Sequence, residues 1–465
     1  MHVTELKKYF SGASDYNDID TAKIAQVIGK SITFNTTSYE DPSLMDGNAF
    51  KGLHKYFEEA FPLAHSNMER VIINDWTLLY KWKGTDSSKK PVLFMSHLDV
   101  VPVMPGTEND WDFPPFSGSI DSDYVWGRGA IDTKGQAVGE LYAAEYLLEK
   151  GFKPSRDIYF MFGHDEETMG VDGSLAAKEY LEKQGITLEF VIDEGGGFKE
   201  GSGLGAPNAI LAQVDIFEKG YIDVAVEANA PGGHSSRPGK GTALGKVAKA
   251  IGKIEDNPLP AHINPVVRDM FLKLKPFITQ EPFKSYVANI ESDPKAFADY
   301  LKDIVDLAPM VHTTTALTMI NGSPAPNVLP QKVRSIINFR IAPEDTCDSI
   351  LKHCIDTADD SELKIEMTKG LDPSKISKID SIGFKAIEDS VGKFFNGVTV
   401  IPGLVTGGTD CRYFEDICDC CYRFRPFIDN MALGHTTHAT NERCYMPAVA
   451  QGVKVLIDIM KNTCA

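Results

Sequence analysis

Cysteine is scarce in this chain of 465 residues: there are eight, and only Cys418, Cys420 and Cys421 cluster. No second Cys/His pair at zinc-finger spacing accompanies them, which argues against a cysteine metal site. The expectation is reduced thiols in or near a core strand, with no disulfide framework. No run of about 18 apolar residues occurs, which excludes a helical membrane span. The opening Met1-His2-Val3-Thr4-Glu5-Leu6-Lys7-Lys8-Tyr9-Phe10 contains no apolar core of a secretory leader. A cytoplasmic location is expected. Repeats and low-complexity tracts are absent. Basic residues are in deficit, 47 Lys and Arg against 65 Asp and Glu, for a formal net charge of -18. An acidic surface argues against nucleic acid and anionic membranes as partners and serves solubility.

What is present is ordinary globular material: 43% hydrophobic and 24% charged residues suffice for a sizeable core, and the length calls for two or three domains. From about residue 19 to 215, apolar strand-like runs alternate with helical ones. Helices are expected at 19–28, 48–61, 135–150 and 174–184. Strands are expected at 71–73, 78–82, 92–95, 158–162 and 190–192. Such alternation predicts a mostly parallel sheet covered by helices on both faces. After about 215 the texture changes. Ile222-Asp223-Val224-Ala225-Val226-Glu227-Ala228 alternates with period two, as a half-exposed strand does. Helices at 243–254 and 347–356 accompany strands at 313–320, 333–341 and 363–368. Between them, 257–310 is proline-rich and irregular, with helical stretches near 267–273 and 295–305. From about 377 the first texture resumes, with helices at 382–394 and 447–460 and a strand at 398–401. The reading is an α/β catalytic domain in two parts, 1–215 and 377–465, interrupted by a smaller α+β lid domain at 216–376.

The chemistry begins at Ser96-His97-Leu98-Asp99, directly after the apolar run Val92-Leu93-Phe94-Met95. Residues i and i+2 of a strand point to one side. His97 and Asp99 therefore face the carboxyl edge of the sheet, where open α/β sheets bind ligands. An imidazole with a nearby carboxylate can begin a metal site with an orienting partner; the bland alternative is a surface accident. Four further segments resemble it in position. Asp132 sits among glycines at the entrance of the 135–150 helix, where an N-cap is the plain reading. Gly163-His164-Asp165-Glu166-Glu167 and Asp193-Glu194-Gly195-Gly196 both put acids at strand ends. Adjacent acids repel unless a cation is present. The fourth is His435-Thr436-Thr437-His438 near the C-terminus. Each alone could be a solvated loop. Together, two histidines and three carboxylates without cysteine suit a pair of zinc ions bridged by one carboxylate. Such a pair, about 3.5–4 Å apart, polarises a carbonyl and acidifies water. Adjacent Glu166 and Glu167 allow one to bind metal and the other to act as general base.

These segments resemble the co-catalytic zinc peptidase family of aminoacylase, carboxypeptidase G and the dipeptidases. They are most similar to the carboxypeptidase S (Gly-Xaa carboxypeptidase) branch, which also contains N-acyl-amino-acid hydrolases. The resemblance rests on Met95 to Pro102, Trp111 to Gly135, Gly163 to Glu167, Asp193 to Gly196, Gly232-Gly233-His234-Ser235-Ser236, Asn327-Val328-Leu329-Pro330, Asn338-Phe339-Arg340 and His438 to Arg443. They span most of the chain. The resemblance implies two Zn²⁺ per chain, with Co²⁺ or Mn²⁺ as substitutes. It implies His97, Asp132 (bridging), Glu167 and His438 as ligands, with Asp193 or Glu194 as the remaining one. Asp193 and Glu194 are neighbours on a strand, so only one should reach the metal. His435 competes with His438, and the following Ala-Thr-Asn-Glu favours His438. Asp99 would orient His97, and Glu166 would be the general base. In the insert, His234 would stabilise an oxyanion and Arg340 would hold a substrate carboxylate. Gly407-Gly408-Thr409-Asp410 lies where the family has a backbone substrate loop. Gly408 departs from the branch's usual residue, which bears on fine specificity. The missing N-terminal anchor of eukaryotic relatives points to a microbial form.

The activity implied is zinc-dependent hydrolysis of the amide bond beside a C-terminal amino acid with a free carboxylate. An N-acyl-amino-acid hydrolase is the alternative within the class. A non-catalytic amino-acid or peptide binder on the same fold is the alternative outside it, and it predicts loss of the base or of a ligand. A small peptide or N-acyl amino acid is the expected partner, with no nucleic acid and no membrane. A homodimer is compatible with the family, and His234 could then act within its own chain or across the dimer.

Overall fold

The computed structural model describes residues 2–465. Two sheets organise them. The larger has nine strands in the order Glu69–Ile73, Thr77–Trp82, Ile158–Gly163, Val92–His97, Phe190–Asp193, Cys421–Arg423, Ile210–Glu218 and Val398–Val405, with Gly197–Glu200 paired to Ile210–Glu218 off this path. Its centre, from Ile158–Gly163 through Cys421–Arg423, is parallel. Antiparallel pairs flank it, and the last pair, Ile210–Glu218 with Val398–Val405, is parallel again. The central strands Val92–His97, Ile158–Gly163 and Phe190–Asp193 are buried at every position. That is why they read as continuous apolar runs rather than alternating ones.

The helix Lys134–Glu149 packs against Val92–His97 on one side and against helices Thr21–Ile32, Pro62–Asn67 and Met446–Cys464 on others. Enclosure on all sides explains its apolar character all round and puts its N-terminus beneath the carboxyl ends of the central strands. Three strands of this sheet escaped the sequence reading, Gly197–Glu200, Ile210–Glu218 and Cys421–Arg423. The last begins in the cysteine cluster, and all eight cysteines are free.

The smaller sheet is antiparallel, in the order Thr314–Asn321, Lys332–Ile341, Gly220–Asn229, Leu363–Leu371. Helices Ala243–Asp256 and Cys347–Ala358 cover one face and share its core with Ile222, Val224, Val226, Val333, Ile337 and Phe339. The strand Lys332–Ile341 alternates between buried and half-exposed along its length, so Asn338 and Arg340 lie on the uncovered face. The chain passes from the large to the small sheet between Glu218 and Gly220. The proline-rich stretch between the small sheet's strands turns back to the large core. There Val266, Phe271, Phe283, Phe297 and Leu301 are buried together with the large sheet's side chains. Its apolar periodicity showed helices; which core they would join depended on contacts far away in sequence. Among the described residues no helix is long and apolar enough to cross a membrane.

Candidate metal centre and substrate cleft

The carboxyl ends of three neighbouring strands deliver the acids and one histidine. Val92–His97 ends on His97, Ile158–Gly163 runs on to Glu166 and Glu167, and Phe190–Asp193 runs on to Glu194. Asp132 comes from the turn just before helix Lys134–Glu149. His438 comes from a distant loop, with its backbone in the left-handed region at φ 59, a costly conformation for a non-glycine residue.

His97 Nε2 is 3.0 Å from Asp132 Oδ1 and 3.2 Å from Glu194 Oε1. His438 Nε2 is 2.9 Å from Asp132 Oδ2 and 3.1 Å from Glu167 Oε1. The two oxygens of Asp132 thus address two different histidines. Glu166 Oε2 stands 3.9 Å from His97 Nε2. The potential ligand groups are His97, Asp132 and Glu194; His97, Glu166 and Glu167; and Asp132, Glu167 and His438. No cysteine belongs to any of them.

Four carboxylates around two imidazoles leave an excess of negative charge, and the electrostatics register it. Burial and repulsion from Asp132 push the Glu194 carboxyl up to about 8. Burial, together with the charges of Glu194, Asp410 and Glu167, drives Glu166 well above the ordinary carboxyl range despite the opposing pull of His97. Burial also opposes charge on Asp132, but hydrogen bonds from His438 and His97 overcome it and hold its carboxyl below the ordinary range. Hydrogen bonds to Asp132 and Glu167 raise His438 to about 10. Imidazole nitrogens and carboxylate oxygens converging with surplus negative charge fit divalent cations.

Asp99 is fully buried and stands apart from the ligand groups. Its Oδ1 lies 3.3 Å from His97 Nδ1, and its backbone carbonyl 3.0 Å from the same nitrogen. It does more than the sequence reading gave it. The carboxylate also accepts from Ser38 Oγ at 2.6 Å and from the amides of Glu166 and Glu167 at 3.2 Å each. One buried carboxylate therefore sets both the His97 ring and the turn carrying two acids.

Of Asp193 and Glu194, only Glu194 belongs to a candidate ligand group, 3.2 Å from His97 Nε2. Asp193, the last residue of its strand, turns its carboxylate to the backbone, accepting from the amides of Glu194 and Cys411 at 2.8 Å each. It joins none of the candidate ligand groups. His435 is exposed in a 3-10 turn and also joins none. His234, expected to act by lid closure or across a dimer, stands apart from the candidate ligand groups of its own chain. It lies on a two-residue strand paired with Val328–Leu329, is exposed, and hydrogen-bonds its own neighbour, Ser236 Oγ, at 2.8 Å. It touches none of the ligand residues of its own chain. The reason is topological: its strand extends from the small sheet, away from the large sheet's carboxyl edge.

Arg340 and Gly408 line a cleft that Glu166 also lines. This cleft of about 300 Å³ is lined by Glu166 at one end and by Arg340 and Lys219 at the other, with Gly407 and Gly408 along its wall. A Cβ added at Gly408 would stand 3.4 Å from Arg412 Nη1, an ordinary contact.

One residue was quoted in the sequence pattern but given no role. Glu442 is fully buried. It takes Arg128 Nη1 at 2.6 Å and the amides of Gly129, Ile131 and Asp132 at 3.0, 2.9 and 3.1 Å. It fixes the turn that presents Asp132. The available signal was its spacing, four residues after His438, in a segment already chosen for its histidine.

Comparison with known proteins agrees with this geometry. The family model described as "Peptidase family M20/M25/M40" matches residues 93–462. The chain is 33% identical over 458 residues to "Probable carboxypeptidase S-like 2" of Dictyostelium discoideum, covering 96% of this chain and 86% of that protein. It is 31% identical to "N-fatty-acyl-amino acid synthase/hydrolase PM20D1" of Xenopus tropicalis, covering 95% and 86%. It is also 30% identical to "Carboxypeptidase S" of Saccharomyces cerevisiae, covering 92% and 81%. Among solved structures, an M20 family metallo-carboxypeptidase from Sulfolobus solfataricus superposes with a TM-score of 0.65 at 18% identity, covering 95% of this chain and 98% of that one. At that identity the likeness speaks for the fold alone. The sequence matches carry the assignment further: the chain belongs to peptidase family M20/M25/M40.

Proposed function

We propose that this hydrolase cleaves the amide bond beside a C-terminal amino acid bearing a free carboxylate, as a two-zinc carboxypeptidase or dipeptidase. The observation that carries the reading is that Glu166 stands beside the metal-ligand groups and also lines the cleft that ends at Arg340. His97, Asp132 and Glu194 would hold one divalent cation, and Asp132, Glu167 and His438 the other. When bound, such cations supply Lewis acidity and lower the pKa of water.

The chain's own residues perform the rest. Arg340 fixes the substrate by its carboxylate, a task suited to a planar guanidinium. Glu166 takes a proton from the attacking water as the water oxygen bonds to the carbonyl carbon. As the C–N bond breaks, Glu166 passes that proton to the leaving nitrogen, releasing the free amino acid. Asp99 holds His97 and the Glu166–Glu167 turn in place throughout. His234 donates to the developing oxyanion, brought there by closure of the lid within 216–376 or by a second copy of the chain.

Hydrolysis of an N-acyl amino acid is the second reading, supported by the similarity to the Xenopus protein of that name. The test is metal analysis of the purified protein, then hydrolysis of Gly-Leu and of an N-acyl-leucine by wild type and Glu166→Ala. Bound zinc, with activity abolished by the substitution, is expected. Metal-free active protein, or an active variant, overturns the mechanism. The ratio of the two wild-type rates separates the two readings.

A further inference from the structure

The far end of the cleft carries more positive charge than one substrate carboxylate requires. Lys219, Arg340 and Lys369 line it, joined by Arg412 from the loop that follows Gly408. Tyr221 lies between two of them. It stands opposite Arg340 across the strand ladder, with the guanidinium carbon 4.9 Å and the Lys369 ammonium 5.7 Å from its ring centroid.

The ion pairs of this region leave three of these cations unmatched. Arg412 has Glu218 at 3.6 Å, which Arg423 already holds at 2.7 Å. Lys219 is 2% exposed, and its ammonium donates only to the carbonyls of Pro309 and His312, at 2.7 Å each. Among the described residues, neither Lys219, Arg340 nor Lys369 forms an ion pair. Asp223, behind the tyrosine, is engaged by Tyr221 Oη at 2.7 Å and Asn338 Nδ2 at 2.8 Å. Glu166 and Asp410 sit toward the metal end, where Asp410 is held by Ser174. Burial, and then the nearby Arg340, lower the Lys219 ammonium to about 7 against the opposing pull of Asp345 and Glu344.

In a protein with 65 acidic and 47 basic residues, such a gathering runs against the overall charge. Lys219 is buried without an ion-pair partner, which is costly, and an anion that arrives with the substrate offsets that cost. One carboxylate matches Arg340 and leaves the two lysines unmatched.

Building on the amide-hydrolase reading, we propose that the preferred C-terminal residue is acidic, aspartate or glutamate. Its α-carboxylate pairs with Arg340 and its side-chain carboxylate with Lys219 and Lys369.

The experiment compares N-acetyl-glutamate with its near-isosteric neutral counterpart N-acetyl-glutamine on the metal-loaded protein. The expected preference in kcat/KM is about 10-fold or more, carried mainly by KM, the range for one charge-assisted contact. Lys369 is exposed, so Lys369→Met should fold, and the Glu:Gln ratio should fall toward one. A wild-type ratio at or below one, or a ratio that Lys369→Met leaves intact, overturns the proposal. If neither compound is cleaved, the hydrolase reading fails separately. Calorimetric titration with free glutamate and glutamine then still decides: binding of glutamate at least about 10-fold tighter supports the proposal, and equal binding refutes it.

Discussion

The two ends of one cleft are built on opposite plans. At the metal end, four carboxylates and two histidines crowd together, and their positions are dictated by strand ends of a buried sheet and by two buried bracing carboxylates, Asp99 and Glu442. At the far end, cations converge from the crossing between the sheets, two strands of the small sheet and the 3-10 helix Asp410–Asp416, and among the described residues no carboxylate is paired to Lys219, Arg340 or Lys369. The acidic end is braced from beneath and carries surplus negative charge. The basic end carries three cations that form no ion pair among the described residues. Chemistry calls for the first kind of site, where misplacement is costly; recognition tolerates the second.

The contrast is open to direct attack. The largest effect belongs to Glu166→Gln, which should lower kcat by about 10³-fold, within the range for a lost general base, while metal content by elemental analysis stays near wild type. An unimpaired kcat would remove the acidic end's claim to the chemistry. Next, Glu442→Ala should destabilise by about 3–5 kcal/mol in urea unfolding, because Arg128 and three amides lose a buried partner, and should weaken metal retention. If stability holds, the bracing argument fails. Arg340→Met should act through KM, raising it about 10- to 100-fold with a smaller change in kcat. An effect confined to kcat would move Arg340 from recognition to chemistry.

Smaller still is a pH effect. In metal-stripped protein Glu194 has a folded pKa of about 8, above its unfolded value of 4.5. Its contribution to stability is complete below the unfolded value and is lost as pH rises through about 8. The Tm of chelator-treated protein should therefore fall between about pH 5 and pH 9, and saturating zinc should abolish that fall. A Tm that is flat without metal would show that the crowded acids are not strained.

Legibility in the sequence followed the same division. Val92 to Met95, Ile158 to Phe162 and Phe190 to Ile192 announced buried strands because both their faces are covered. The acids just past them were visible as chemistry because several such segments recur at strand ends, where adjacent acids repel unless a cation is present. Asp99 showed its partnership with His97 through their i, i+2 spacing, but its bonds to Ser38 and to the amides of Glu166 and Glu167 come from segments about sixty residues away on either side. Glu442 was hidden in the same way, its partners lying more than 300 positions back. The strand Cys421–Arg423 was too short to announce itself, and it pairs with strands far earlier in the chain.

The sequence by itself determined the alternation of elements, the α/β class and the set of acids and histidines from which a metal centre could be drawn. Those depend on periodicity and on local strand-end position, which are written in neighbouring residues. Only the tertiary structure decided that Glu194 and not Asp193 faces the cluster, that the two oxygens of Asp132 meet two histidines, that His234 stands apart in its own chain, and that Lys219, Arg340 and Lys369 share one cavity. Each of these is a distance between side chains remote in sequence, and such a distance is fixed by packing of the whole fold.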